Sequence, residues 1–141
     1  MNREMERLSA LAAKLAPDGA VTPEEFGFTL DNSIAPLYFF AVDGVSSPCY
    51  CRACVASLGA TPCPLSFAEA ALKGNFFWRA TDGAVLSLDT AKNAIYLTDR
   101  FDEGAFANEA ALASYADNFL RTLHDWRSRL ETALAGKEVQ A

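Results

Sequence analysis

The sequence predicts an α+β fold, a mainly antiparallel, twisted sheet of about five strands with three helices in the order α-β-β-β-α-β-β-α. Three observations carry this. Apolar residues recur at three-or-four spacing near both ends and once in the middle. Short β-type runs fill the stretches between. The runs are joined by brief Asp-, Asn- and Gly-bearing connections, which suit antiparallel neighbours. A chain of 141 residues fits one domain, expected over residues 1–135, with a frayed tail at 136–141.

Met5, Leu8, Leu11, Ala12 and Leu15 share one helical face, with Glu4, Arg7 and Lys14 between them, and Pro17 and Gly19 close this first helix. Thr22-Pro23-Glu24-Glu25 has the form of a capping box, but the residues from Phe26 to Leu30 alternate, so a strand is expected at about 25–30. A turn at Asp31–Ser33 leads to a second strand at about 36–42 and the hairpin signal Asp43-Gly44. The third strand runs over about 48–58 and stops at Gly59. Ser66-Phe67-Ala68-Glu69 is a capping box ahead of an apolar-periodic run, which predicts a helix over about 66–76. After the Thr81-Asp82-Gly83 turn, strands follow at 84–89 and 94–100. Leu112, Ala116, Phe119, Leu123, Trp126 and Leu130 then keep helical spacing. Arg121, Arg127 and Arg129 gather near the end of that last helix, where its dipole favours cations.

Composition narrows the function. Hydrophobic residues are 51% of the chain, and with 8 Gly the share is roughly 57%, against a usual ~45–50%. A monomer hides such a surplus poorly, so a subunit or partner surface is expected. The formal net charge of −6 repels phosphate backbones and provides no basic stripe for an anionic membrane, so neither nucleic-acid binding nor membrane insertion is expected. The mixed charges of MNREMERLSALAAKLAPDGA do not suit a signal peptide. The longest apolar run, Ile34 to Val42, is too short to span a bilayer. A cytoplasmic setting with reduced thiols is expected.

Four cysteines, Cys49, Cys51, Cys54 and Cys63, invite a metal or thiol reading. Their C-x-C-x₂-C-x₈-C spacing is poor for zinc. On a strand, Cys49 and Cys51 share one face and Cys54 takes the other. Buried packing cysteines are the expectation, with no metal and no cofactor. The one histidine, His124, lies beside Asp125 on a helix, where adjacent residues do not face each other. No phosphate-cradling glycine motif is present, and no catalytic residue is expected. The string GNFFW at 74–78 is the sharpest remaining feature. It is open to a core, ligand-pocket, base-stacking or partner-surface reading. Cations near it are few, which disfavours bases, and three consecutive side chains cannot all face one way.

GNFFWRATDGAVLSLD at 74–89 and AIYLTDRFDEGAFANEAALASYADNFLRTLHDWRSRLE at 94–131 resemble the class I type III secretion chaperones, the Tir-chaperone (CesT-like) family. In that family a helix ends in an Asn-plus-hydrophobic string and passes through a Gly-containing turn into a strand. A last strand, an acidic loop and a long helix follow. The resemblance implies a cytoplasmic homodimer without enzymatic activity that holds the N-terminal region of a secreted effector in extended form. It implies a dimer interface at Leu72, Phe76, Trp78, Val85 and Leu88. It implies effector contacts at Leu8, Leu11 and Leu15 on the first helix and at Phe28, Leu30, Tyr38 and Phe40 on strands. The alternatives are a thiol- or metal-dependent regulator built on Cys49, Cys51, Cys54 and Cys63, or a general dimeric adaptor of the same fold.

Overall fold

The computed structural model describes residues 2–42, 48–78 and 81–140, with Phe77 and residues 133–140 described by backbone alone. The elements are α1 (Arg3–Leu15), β1 (Val21–Pro23), β2 (Gly27–Leu30), β3 (Leu37–Ala41), β4 (Cys49–Ser57), α2 (Leu65–Gly74), a 3-10 turn (Phe76–Trp78), β5 (Val85–Asp89), β6 (Ala94–Phe101) and α3 (Glu109–Gln140). The strands form one six-stranded sheet in the order β1-β2-β3-β4-β6-β5, with antiparallel pairing. The expected α+β class therefore holds, with six strands in place of about five. The Asp43-Gly44 turn lies outside the described residues.

The added strand is β1. Val21, Thr22 and Pro23 pair with Leu30, Thr29 and Phe28, and the Glu24 N–H donates to the Gly27 carbonyl at 2.9 Å to close the turn. Pro23 cannot donate to a ladder, and the sheet tolerates it because β1 is an edge strand. A second departure is at α2. This helix starts at Leu65 with Pro64 as its N-cap and no side-chain cap bond. The Pro64 carbonyl accepts from Phe67 and Ala68 N–H. Ser66 thus sits inside the first turn rather than before it, and its buried Oγ has no hydrogen-bond partner among the described residues. The expected Ser66–Glu69 capping box does not form. α3 continues to Gln140, past Gly136.

Two compact units are distinguished, Met1–Ala53 with Asp99–Leu120, and Cys54–Thr98 with Arg121–Ala141. In the first, Asn2 caps α1 by accepting from the Met5 N–H at 2.9 Å. Met5, Leu8 and Ala12 of α1 are buried together with Phe28, Leu37, Phe39, Cys49 and Cys51 of the sheet. Phe28 stacks on Phe39 at 5.1 Å, and Phe39 meets Phe101 edge-on at 6.4 Å. α1 is also tied down by charge. The buried Glu4 carboxylate accepts from Arg7 Nε at 2.5 Å and from the Gly104 N–H. Arg7 donates in turn to the Phe106 carbonyl.

In the second unit, Phe67, Leu86, Leu97, Leu123, Trp126 and Leu130 are buried. The end of α2 lies directly against α3. A side chain at Gly74 would place its Cβ 2.2 Å from Trp126 Cη2. Arg127 donates to the Cys54 carbonyl at 2.9 Å, linking α3 to β4. Among the described residues, no helix is long and apolar enough to cross a membrane.

Candidate functional site

The GNFFW string begins at the last residue of α2 and continues through the 3-10 turn. Asn75 is its anchor. The Asn75 side-chain amide donates to the Leu86 carbonyl at 2.9 Å and accepts from the Leu86 N–H at 2.8 Å. One side chain therefore satisfies both backbone groups of a residue on the edge strand β5, and it fixes the turn against that strand. The chain then reverses through Trp78, which has φ of 56°, a conformation strained for a bulky residue. Its carbonyl accepts from the Gly83 N–H at 2.9 Å, and the buried Thr81 hydroxyl in the same turn donates to the Ala84 carbonyl at 2.5 Å.

This geometry turns apolar side chains outward. Leu72 is 73% exposed, Phe76 72%, Trp78 53%, Val85 43% and Leu88 44%. These are the five residues expected at a subunit interface, and all lie on α2, the 3-10 turn or β5. Leu65, which sequence reasoning passed over, is 69% exposed. Its spacing to Leu72 and Phe76, seven and eleven positions on, puts it on the same helical line. That spacing was a signal available in the sequence. The Phe77 side chain lies outside the described residues.

The residues expected to touch an effector all fall in the first unit but divide there. Leu8 and Phe28 are fully buried, and Leu30 is nearly so. Leu8 and Phe28 belong to the core, because the inward faces of α1 and β2 close on each other. Leu11 is half-buried and Leu15 exposed on α1. Tyr38 and Phe40 point to the sheet face opposite the core, since β3 alternates buried and half-buried along its length. They form a ladder with two residues of β4. Tyr38 stacks on Phe40 at 4.7 Å, and Phe40 stacks on Tyr50 at 5.2 Å. The Arg52 guanidinium lies 5.5 Å from both the Tyr38 and Phe40 rings. Burial pushes the Tyr38 phenol above its ordinary pKa, so it stays protonated at neutral pH. Tyr50 and Arg52 escape single-sequence reading because their place opposite Phe40 and Tyr38 follows from register.

A groove of about 550 Å³ opens at the C-terminal end of α1, lined in part by Leu15, Leu30, Leu37, Asp31, Ala116 and Leu120. It brings together two of the expected contact residues, Leu15 and Leu30. The α3 residues on its wall could not be assigned to it from helical periodicity.

The three thiols of β4 are poorly disposed to chemistry. Cys49 and Cys51 face the core, and Cys54 is only half-buried on the other face of β4. Burial pushes the Cys49 thiol up to about 11 and the Cys51 thiol well above its usual value, with Asp99 adding to the effect. Burial also raises Cys54 despite the nearby Arg127. Protonated thiols are weak nucleophiles and weak metal ligands. Among the described residues, no three His, Cys, Asp or Glu side chains are grouped to hold a metal ion.

Among curated proteins, none matches the chain. Residues 54–127 match the Tir chaperone protein (CesT) family. The match takes in the last four residues of β4, all of α2, the GNFFW turn, β5, β6 and more than half of α3. It covers just over half of the 141 residues and includes the clamped turn and its outward apolar face, so the chain belongs to the Tir chaperone protein (CesT) family.

Proposed function

We propose that the protein is a cytoplasmic type III secretion chaperone that works as a homodimer. It binds the N-terminal region of a secreted effector in extended form and keeps it soluble and competent for export. The observation that carries the reading is the outward apolar face of α2, the 3-10 turn and β5, which lies inside the family-matched segment. Aromatics of this kind are normally buried in a protein or across an interface. A self-complementary patch is most simply covered by a second copy.

The effector would engage the other unit, through Leu11 and Leu15 on α1 and the Tyr38–Phe40–Tyr50 ladder. An extended segment gains apolar contacts in side-chain pockets and backbone hydrogen bonds where it meets a strand edge. Two copies present two such surfaces to one chain, which raises the effective concentration of the second contact. This role requires no catalytic residue and no cofactor. Acidity keeps the empty dimer soluble.

Size exclusion with light scattering tests the dimer, which should give about twice the 15.2 kDa chain mass. A strict monomer at micromolar concentration overturns it. Co-production with secreted proteins of the native host tests the cargo. The expected result is one soluble complex per cognate effector, lost on deleting the effector's N-terminal region. A complex that survives that deletion contradicts the reading.

A further inference from the structure

We propose that the groove at the end of α1 seats one apolar side chain of the bound segment and selects segments in which that side chain is flanked by Lys or Arg. This rests on the chaperone reading and specifies the chemistry of the cargo. The groove volume of about 550 Å³ falls in the ~300–1,000 Å³ range of clefts that enclose small-molecule ligands, which leaves ample room for one apolar side chain. Its floor is apolar. Leu37 is fully buried, and Leu30, Ala116 and Leu120 are each 9% exposed. Leu15 stands at the mouth, 41% exposed. Small side chains on α3, Ala113 and Ala116, leave room for an incoming one.

The rim is acidic. Asp31 and Asp117 line the groove, both are exposed, and among the described residues no Lys, Arg or His lines it. Among the described residues, neither carboxylate has a hydrogen-bond or ion-pair partner. The groove also lies at the C-terminal end of α1, where free helix carbonyls add partial negative charge. Lys14, in the last turn of α1, is not among the lining residues. The Asn32 side-chain amide on the wall is already used. Asn32 accepts from the Ile34 N–H at 2.8 Å and the Ala35 N–H at 2.9 Å, and it donates to the Ala35 carbonyl. It shapes the loop and offers little to a polar ligand. An apolar anchor with cationic neighbours complements such a site, whereas an anionic lipid or an acidic peptide is repelled.

The test uses short synthetic peptides carrying one Leu in a Ser/Thr background, flanked by Lys, by Gln or by Glu. Binding to the full chain is read by fluorescence anisotropy. At about 0.05 M salt the Lys-flanked peptide should bind roughly tenfold tighter than the Glu-flanked one, and the gap should close near about 1 M salt, where charges are screened. The exposed double variant Asp31→Asn/Asp117→Asn should erase the Lys-over-Glu preference and still bind the Gln-flanked peptide. Leu15→Asp should weaken all three. Equal affinities, a preference that survives the double variant, or no binding by any peptide each overturns the proposal. If the co-produced secreted protein still forms its soluble complex in that case, the groove assignment fails alone. If that complex is absent too, the chaperone reading fails with it.

Discussion

Gly74→Ala is expected to destabilise the protein by about 1–2 kcal/mol, against the usual helix preference for alanine. Gly74 ends α2, and an added Cβ would lie 2.2 Å from Trp126 Cη2 and 2.3 Å from Cζ2. Carbon atoms attract best at roughly 3.5–4 Å, so the indole or the helix must retreat by about 1 Å or more. The indole has little room. Trp126 is 2% exposed, and the Arg129 guanidinium lies 4.8 Å from its ring. Overpacking of this kind costs about 1–3 kcal/mol. The helix-propensity gain of replacing glycine reaches ~1 kcal/mol in an interior and is smaller at a last residue. The net loss corresponds to a Tm drop of roughly 3–10 °C for a chain of this size. Urea unfolding followed by Trp126 emission in a Trp78→Phe background isolates the site, because the chain has 2 Trp. A Gly74→Ala midpoint equal to or above that of the parent would refute the claim that glycine is present to admit Trp126.

The remaining expectations concern the interface, the α1 clamp and the edge strand. Phe76→Asp or Leu72→Asp should yield folded monomers by sedimentation. Phe76 exposes 72% of its surface, and covering a side chain of ~150–250 Å² at ~25 cal/mol per Å² is worth about 3 kcal/mol per copy, counted twice by symmetry. Leu11→Asp should leave the dimer intact and abolish effector copurification; undiminished copurification contradicts the placing of the effector on α1. Glu4→Gln should cost about 1–3 kcal/mol at neutral pH, because charge-assisted hydrogen bonds from Arg7 and Gly104 are weakened. The Arg7 hydrogen bond, helped by Gly104 and opposed by burial, holds the Glu4 carboxyl below its ordinary pKa. Its contribution is therefore complete above the ordinary carboxylate range of ~4.3 and is lost as pH falls through the lower folded value. The gap between parent and Glu4→Gln in urea midpoint should narrow below about pH 4; a gap that is independent of pH contradicts the clamp. Asn75→Ala should cost about 1–3 kcal/mol by stripping both Leu86 backbone groups of their partner. Faster amide exchange at Leu86 is the specific readout, and an unchanged rate contradicts the clamp on β5.

Local periodicity sets the kind and order of every element except β1, whereas the outward residues around GNFFW came from the family resemblance, which left out Leu65. Period and capping are local, so α1, β3, β4, β5 and β6 were legible to within a residue or two at most boundaries, and α3 by its spacing alone. The alternation that separates Cys49 and Cys51 from Cys54 is equally a property of one strand. Tertiary structure decided everything that depends on what covers a given face. Tyr38 and Phe28 are similar aromatics on neighbouring strands, yet one is half-buried in an aromatic ladder and the other fully buried beneath α1. Pro23 could join a strand only because β1 is an edge. The Ser66 pattern failed because the chain enters α2 from Pro64, two residues earlier than the local code expects. The groove beside Leu15, and the hold of Asn75 on Leu86, join residues eleven or more positions apart. No single helical or strand period encodes such contacts, because they arise only when separate elements pack.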